Sequence, residues 1–265
     1  MNQVTLAFLF TLIAGLSTGI GSCIAFFAKK TNTKFLSVSL GFSAGVMIYV
    51  SMIELFGEAE ASLSAAYGGK SGLLYTIIAF FGGMLIIGII DRLIPGAENP
   101  HETKSVERMN RPPERDGLMR TGLLTALAIA VHNFPEGLAT FVSSLREAKV
   151  AIPVVAAIAL HNIPEGIAVS VPIYYATGNR KKAFWYSFAS GLSEPLGAAI
   201  GYLILMPFLN DTLYGILYAA VAGIMVFISL DELLPSAQEY GEHHLSMYGL
   251  VGGMAVMALS LWVFV

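Results

Sequence analysis

Two six-residue stretches carry the chemistry: His132-Asn133-Phe134-Pro135-Glu136-Gly137 and, 29 residues later, His161-Asn162-Ile163-Pro164-Glu165-Gly166. In each, the His and the Glu stand four apart. Four helical residues turn through about 400° and climb about 6 Å, so both side chains leave one face, a turn apart. An imidazole nitrogen and a carboxylate on one face form half of a coordination sphere for a transition metal. Two such helices, packed face to face, would supply two His and two Glu. A lone His in an apolar helix is ordinarily a packing residue, and a lone Pro a simple kink. A doubled motif carrying a carboxylate that is costly in hydrocarbon reads instead as a cation site. Pro135 and Pro164 remove a backbone donor and free the carbonyls of Val131 and Leu160, so each motif helix is expected to kink beside a packed or wet cavity.

Further carboxylates lie in apolar runs: Glu54, Glu194, Asp231 and Glu232. No Lys or Arg sits at comparable depth to pair with them. Buried carboxylates lacking basic partners protonate, destabilise the fold or hold a mobile cation. Imidazole beside carboxylate favours borderline first-row divalent ions, whereas Mg²⁺ and Ca²⁺ prefer oxygen alone. A proton relay could use the same residue types, and the two are compatible because metal ligands must lose protons to bind.

The elements that position these groups follow from composition. The chain has 265 residues, 55% hydrophobic and 12% charged, with mean hydropathy +0.70. That excludes a soluble domain. Windows near 20 residues give eight spans, at about 4–28, 35–56, 72–95, 119–145, 151–175, 183–208, 213–236 and 246–265. They consume the chain, so residues 1–265 form one polytopic, all-α membrane domain. No cleavable signal peptide is evident. Residues 97–120 read as a flexible cytoplasmic loop, in which His101 with Glu98 and Glu102 could hold a metal transiently. Cys23 stands alone, so no intrachain disulfide forms and Cys-rich metal sites are excluded. A net charge of −3 argues against a nucleic-acid partner. With the N-terminus outside, twelve basic residues fall on the cytoplasmic side and three (Lys70, Arg146, Lys149) on the other. That positive-inside bias places both termini outside the cytoplasm.

An internal repeat joins the two ends of the chain. Ala14-Gly15-Leu16-Ser17 matches Ser190-Gly191-Leu192-Ser193, and Gly82-Gly83-Met84 matches Gly252-Gly253-Met254. Between them, Ala44–Leu55 matches Ala222–Leu233. Spans 1–3 thus pair with spans 6–8 in opposite senses, the inverted-repeat pattern of secondary transporters.

The doubled HN-x-P-E-G motif, Glu194 within Gly191-Leu192-Ser193-Glu194-Pro195-Leu196-Gly197 and the eight-span layout resemble the ZIP family of divalent metal transporters, most closely its broad-specificity bacterial members. The resemblance implies a 3+2+3 helix arrangement, often a homodimer, and metal moving toward the cytoplasm. It implies a metal centre between spans 4 and 5, with His132, Glu136, His161 and Glu165 as main ligands. Asn133, Asn162 and Glu194 would complete a second metal position, and Met47 would approach the first. Glu54, Asp231 and Glu232 would line the entrance and exit. Two features depart from the family pattern. Asn162 stands where many members carry an acidic residue, and residues 97–120 lack the common His cluster.

The resulting expectation is a plasma (inner) membrane carrier taking Zn²⁺, and also Fe²⁺, Mn²⁺ or Co²⁺, into the cytoplasm. Its partners are the divalent ions, membrane lipid and a second copy of itself; it is no enzyme and has no resident cofactor. A selective metal channel is the near alternative. An intramembrane zinc-dependent hydrolase is the distant one, needing three ligands, an open position and a general base. The chain has no HExxH and no evident third His for it.

Overall fold

The computed structural model describes residues 2–27, 33–93, 115–145, 148–240 and 243–264, and every regular element among them is helical. Helices α1 (Gln3–Phe27) and α2 (Thr33–Tyr49) come first. A π-helical turn, Val50–Leu55, leads from α2 directly into α3 (Phe56–Tyr67), and α4 (Gly69–Leu93) follows. The motif helices are α5 (Arg115–Ser144) and α6 (Ala148–Thr177). Then come α7 (Arg180–Gly191), α8 (Ser193–Leu205) and α9 (Asp211–Ile228). A second π-helical turn, Ser229–Leu233, joins α9 to α10 (Leu234–Tyr240), and α11 (His243–Phe264) ends the chain.

Apolar runs close into helices because lipid offers no partners for backbone N–H and C=O groups. The turns between them use local devices. Gly68 and Gly178 take positive φ (84° and 63°) where other residues would be strained. Asn179 and Asn210 cap α7 and α9, accepting from the backbone N–H of Lys182 (3.1 Å) and Leu213 (2.9 Å). Large apolar side chains face outward, among them Leu85, Leu203 and Trp262. Such a surface suits lipid and not water.

Seven helical segments among the described residues are long and apolar enough to cross a membrane. The eighth expected span, α5, is not among them. Its first two turns carry Arg115, Asp116 and Arg120, and the side chains of residues 115–125 lie outside the described set. The expected loop 97–120 is shorter than its predicted bounds, because α5 already begins at Arg115; residues 97–114, with His101 and its acidic neighbours, lie outside the described residues. The second span is longer than expected, running through the π turn to Tyr67.

The backbone does not break at the motif prolines. Both α5 and α6 run on through Pro135 and Pro164. The interruptions fall elsewhere. One is at Leu192, between α7 and α8, just ahead of Glu194 and Pro195. The others are the two π turns, and these occupy matched positions of the internal repeat: Ser51 aligns with Ser229, Glu54 with Glu232, and Leu55 with Leu233. A π turn is rare enough that its recurrence at aligned residues is evidence of a structural repeat.

Glycine contacts extend that symmetry to the whole molecule. Gly45 lies against the Leu250 carbonyl and its repeat mate Gly223 against that of Phe80; Gly253 meets Phe42 as its mate Gly83 meets Ala220. Gly15 and Gly191, themselves mates, face each other's carbonyls. The motif helices obey the same exchange, for Gly137 meets the Glu194 carbonyl and Gly166 that of Thr18, while Gly197 meets Phe134 and Gly21 meets Ile163. Exchanging α1–α4 with α7–α11 and α5 with α6 maps every one of these contacts onto another. At each, a Cβ would collide with backbone, so small residues set the helix separations.

Candidate metal centre

Helices α5 and α6 pack along each other, α6 also against α1 and α2, and α5 against α8. Their motif residues converge where these elements meet. His161 Nε2 lies 3.2 Å from Glu136 Oε2, and both side chains are wholly buried. The pairing crosses between the motif copies, the His of one meeting the Glu of the other, as two helices presenting His/Glu faces to each other require.

Asn162 is equally buried, and its Nδ2 donates to the Ala14 carbonyl (3.0 Å) and to Glu194 Oε1. Glu194 lies in the first turn of α8, made available by the break at Leu192. A carboxylate at a helix start is favoured by the helix dipole. Thr140, one turn beyond Glu136, bonds the Glu136 carbonyl (2.8 Å). From α2, Ser43 donates to the His161 carbonyl (3.1 Å), and Met47, one turn along on the same face, is wholly buried.

Of the residues expected to bind metal, Met47, Asn133, Glu136, His161, Asn162, Glu165 and Glu194 are all buried to 0% exposure. The backbone of His132 lies within α5, but its side chain is outside the described set. Among the described residues no three His, Cys, Asp or Glu side chains gather closely enough to hold an ion. The described pair is His161 with Glu136. Among the described residues, several buried polar atoms of the motif residues and Glu194 find no hydrogen-bond partner: both amide atoms of Asn133, Glu136 Oε1, Asn162 Oδ1 and Glu194 Oε2. The expected pathway acids lie on the two π turns. Glu54 and Glu232 are half-buried and Asp231 exposed.

Sequence reasoning missed Ser43 and Thr18. Thr18 is the repeat mate of Glu194 and, like it, fully buried, with its hydroxyl oxygen unpartnered among the described residues. The repeat alignment was the signal that would have flagged Thr18; for Ser43 the sequence carried none.

Against this geometry, the family described as ZIP Zinc transporter matches residues 93–261. The chain belongs to the ZIP family. It is similar to the zinc transporter ZupT of Clostridium perfringens, 64% identical with 100% of this chain and 98% of the relative covered. It is 65% identical to the ZupT of Streptococcus mutans over 98% of this chain and 97% of the relative. Against the ZupT of Oceanobacillus iheyensis the identity is 66%, with 98% of each covered. ZIP proteins are transporters and not enzymes, and a ZIP chain with several apolar helices is a multi-pass membrane protein.

Proposed function

We propose that this protein takes divalent transition-metal ions, zinc first among them, into the cytoplasm across the plasma membrane. The site is the one between α5 and α6. Fe²⁺, Mn²⁺ and Co²⁺ fit the same donor set and are proposed as further cargo. The observation that carries the reading is the group of buried atoms of the motif residues and Glu194 that find no partner among the described residues: Glu136 Oε1, Asn133 Oδ1, Asn162 Oδ1 and Glu194 Oε2. Buried polar atoms normally have partners, and here no basic side chain is at hand. None of the 15 Lys and Arg residues falls within 121–145, 150–179 or 183–265. A dipositive ion supplies what the protein withholds.

In this reading His132, Glu136, His161 and Glu165 hold the ion, and Met47 approaches it from α2. Asn133, Asn162 and Glu194 form a second position. The two carboxylates neutralise charge, and the imidazoles disfavour hard ions such as Mg²⁺. Binding releases any proton these ligands carry. Helix α5 is the eighth span and completes the 3+2+3 arrangement, with Glu54, Asp231 and Glu232 toward the two mouths. A homodimer is the proposed assembly. Support comes from the naming of the ZupT relatives as zinc transporters at 64–66% identity.

The test is uptake of radiolabelled zinc into proteoliposomes. The native chain is expected to accumulate zinc, in competition with Mn²⁺, Fe²⁺ and Co²⁺ but not Mg²⁺, and Glu136→Ala to lose uptake. Retained uptake in Glu136→Ala would overturn the assignment of the site.

A further inference from the structure

Buried hydroxyls in this protein mostly turn back on their own helix. Thr11, Thr76, Thr140 and Ser229 each bond the carbonyl four residues earlier. This is the ordinary way for a Ser or Thr to satisfy itself in an apolar helix. Four serines instead bond a carbonyl on another element: Ser37 to Ala237 (2.6 Å), Ser62 to Asp211 (2.9 Å), Ser187 to Gly166 (2.9 Å) and Ser43 to His161 (3.1 Å). Among the described residues, Ser43 is the one whose acceptor belongs to a motif histidine.

The place matters because of Pro164. The missing N–H at 164 frees the Leu160 carbonyl, so the turn carrying His161 has one fewer internal hydrogen bond, and the Ser43 donor restrains the adjacent His161 carbonyl from outside the helix. Ser43 is wholly buried, and so is Met47 one turn further along α2. The same α2 face therefore holds the His161 backbone and presents a thioether. The repeat shows that this device is one-sided. The mate of Ser43 is Val221 on α9, which has no hydroxyl to donate to the other motif helix.

We infer that Ser43 is a positioning residue for the transported ion: its hydrogen bond to the His161 carbonyl fixes the rotation of the α6 turn that aims the imidazole at Glu136. This rests on the proposed transport site between α5 and α6. Partners that orient a metal ligand affect affinity by about 10-fold or more when removed, while a tie that merely holds helices together affects how much protein folds.

The experiment compares the full chain with Ser43→Ala, Ser43→Thr and Ser37→Ala in proteoliposomes, measuring zinc KM and kcat, alongside the ligand-field absorption of bound Co²⁺ in detergent. Ser37→Ala is the control, because it removes an equivalent bond from the same helix to a carbonyl distant from the motif. Ser43→Ala is expected to raise KM for zinc about 10-fold with kcat little changed, and to shift the Co²⁺ band. Ser43→Thr keeps the hydroxyl and is expected to recover part of both; Ser37→Ala should change neither. If Ser43→Ala and Ser37→Ala behaved alike, the role would be structural and the inference wrong. Should the wild type take up no zinc, the transport reading would fall, while the Co²⁺ spectra would still decide whether Ser43 positions a bound ion.

Discussion

At the residue scale the site is governed by where charge can be left unneutralised. Glu194 has one oxygen engaged by Asn162 and the other without a partner among the described residues, inside a wholly buried environment. If that carboxylate were there for stability, neutralising it would weaken the fold. If it serves a passing cation, neutralising it removes a desolvated charge and leaves the shape intact. Glu194→Gln is therefore expected to lower zinc uptake at least about 10-fold, a loss of about 1.4 kcal/mol or more in transition-state stabilisation. Its thermal unfolding midpoint in detergent should be equal to or above that of the wild type. A variant that both unfolds earlier and transports normally would show the opposite role. Spacing in the sequence puts His and Glu on one face of each motif helix; that His161 of one copy meets Glu136 of the other is what the structure adds. Ser43 was not legible in the sequence. Nothing in the residue type separates a serine that reaches across a helix interface from those, like Ser229, that bond their own backbone.

Elements are spaced by their small residues, and the repeat makes that testable with internal controls. In Gly82-Gly83 and its mate Gly252-Gly253, the second glycine lies against a partner carbonyl, of Ala220 and Phe42 respectively; around the first there is open space. Gly83→Ala and Gly253→Ala must push two helices apart, at a cost of about 1–3 kcal/mol or more. Gly82→Ala and Gly252→Ala replace glycine in a helix with the best helix former and should gain about 0.5–1 kcal/mol. Thermal unfolding of the four variants in one detergent checks this, and equal effects within either pair would refute the contact geometry. The existence of the helices and of the repeat could be read from apolar runs and short matches. The sites of their interruption could not. Proline marks where an N–H is missing, yet α5 and α6 accommodate Pro135 and Pro164 within continuous helix, whereas the π turns at Val50–Leu55 and Ser229–Leu233 carry no proline at all. Packing of the two halves decides those positions, and it is not written in local propensity.

For the whole molecule the open question is which face looks outward. Gln3 Nε2 donates to the Leu145 carbonyl (2.7 Å), and Thr212 meets the Tyr67 hydroxyl (3.3 Å), so the start of α1 and the end of α5 share a face, as do the end of α3 and the start of α9. Gly41 meets Ser246 and Gly45 meets Leu250, which makes α11 parallel to α2 and carries the C-terminus toward the end of α3. Near that face aromatic rings pack between the helices: Phe8 and Phe141 at 4.7 Å, both against Tyr202, with Tyr214 stacked on Tyr218 at 4.2 Å. The α5 ring has no counterpart in the other motif helix, since the motif repeat aligns Phe141 of α5 with Ser170 of α6. In the eight-span reading of the sequence twelve of the 15 basic residues fall on connections at the opposite ends of the helices, so the aromatic face is expected to be the outer one. A phosphatase that is active only outside the cytoplasm should therefore be active when fused after Val265 and inactive when inserted after Ser105, with a fluorescent protein that folds only inside giving the reverse. Activity after Ser105 and none after Val265 would place the aromatic face on the cytoplasmic side and reverse the orientation drawn from the basic residues.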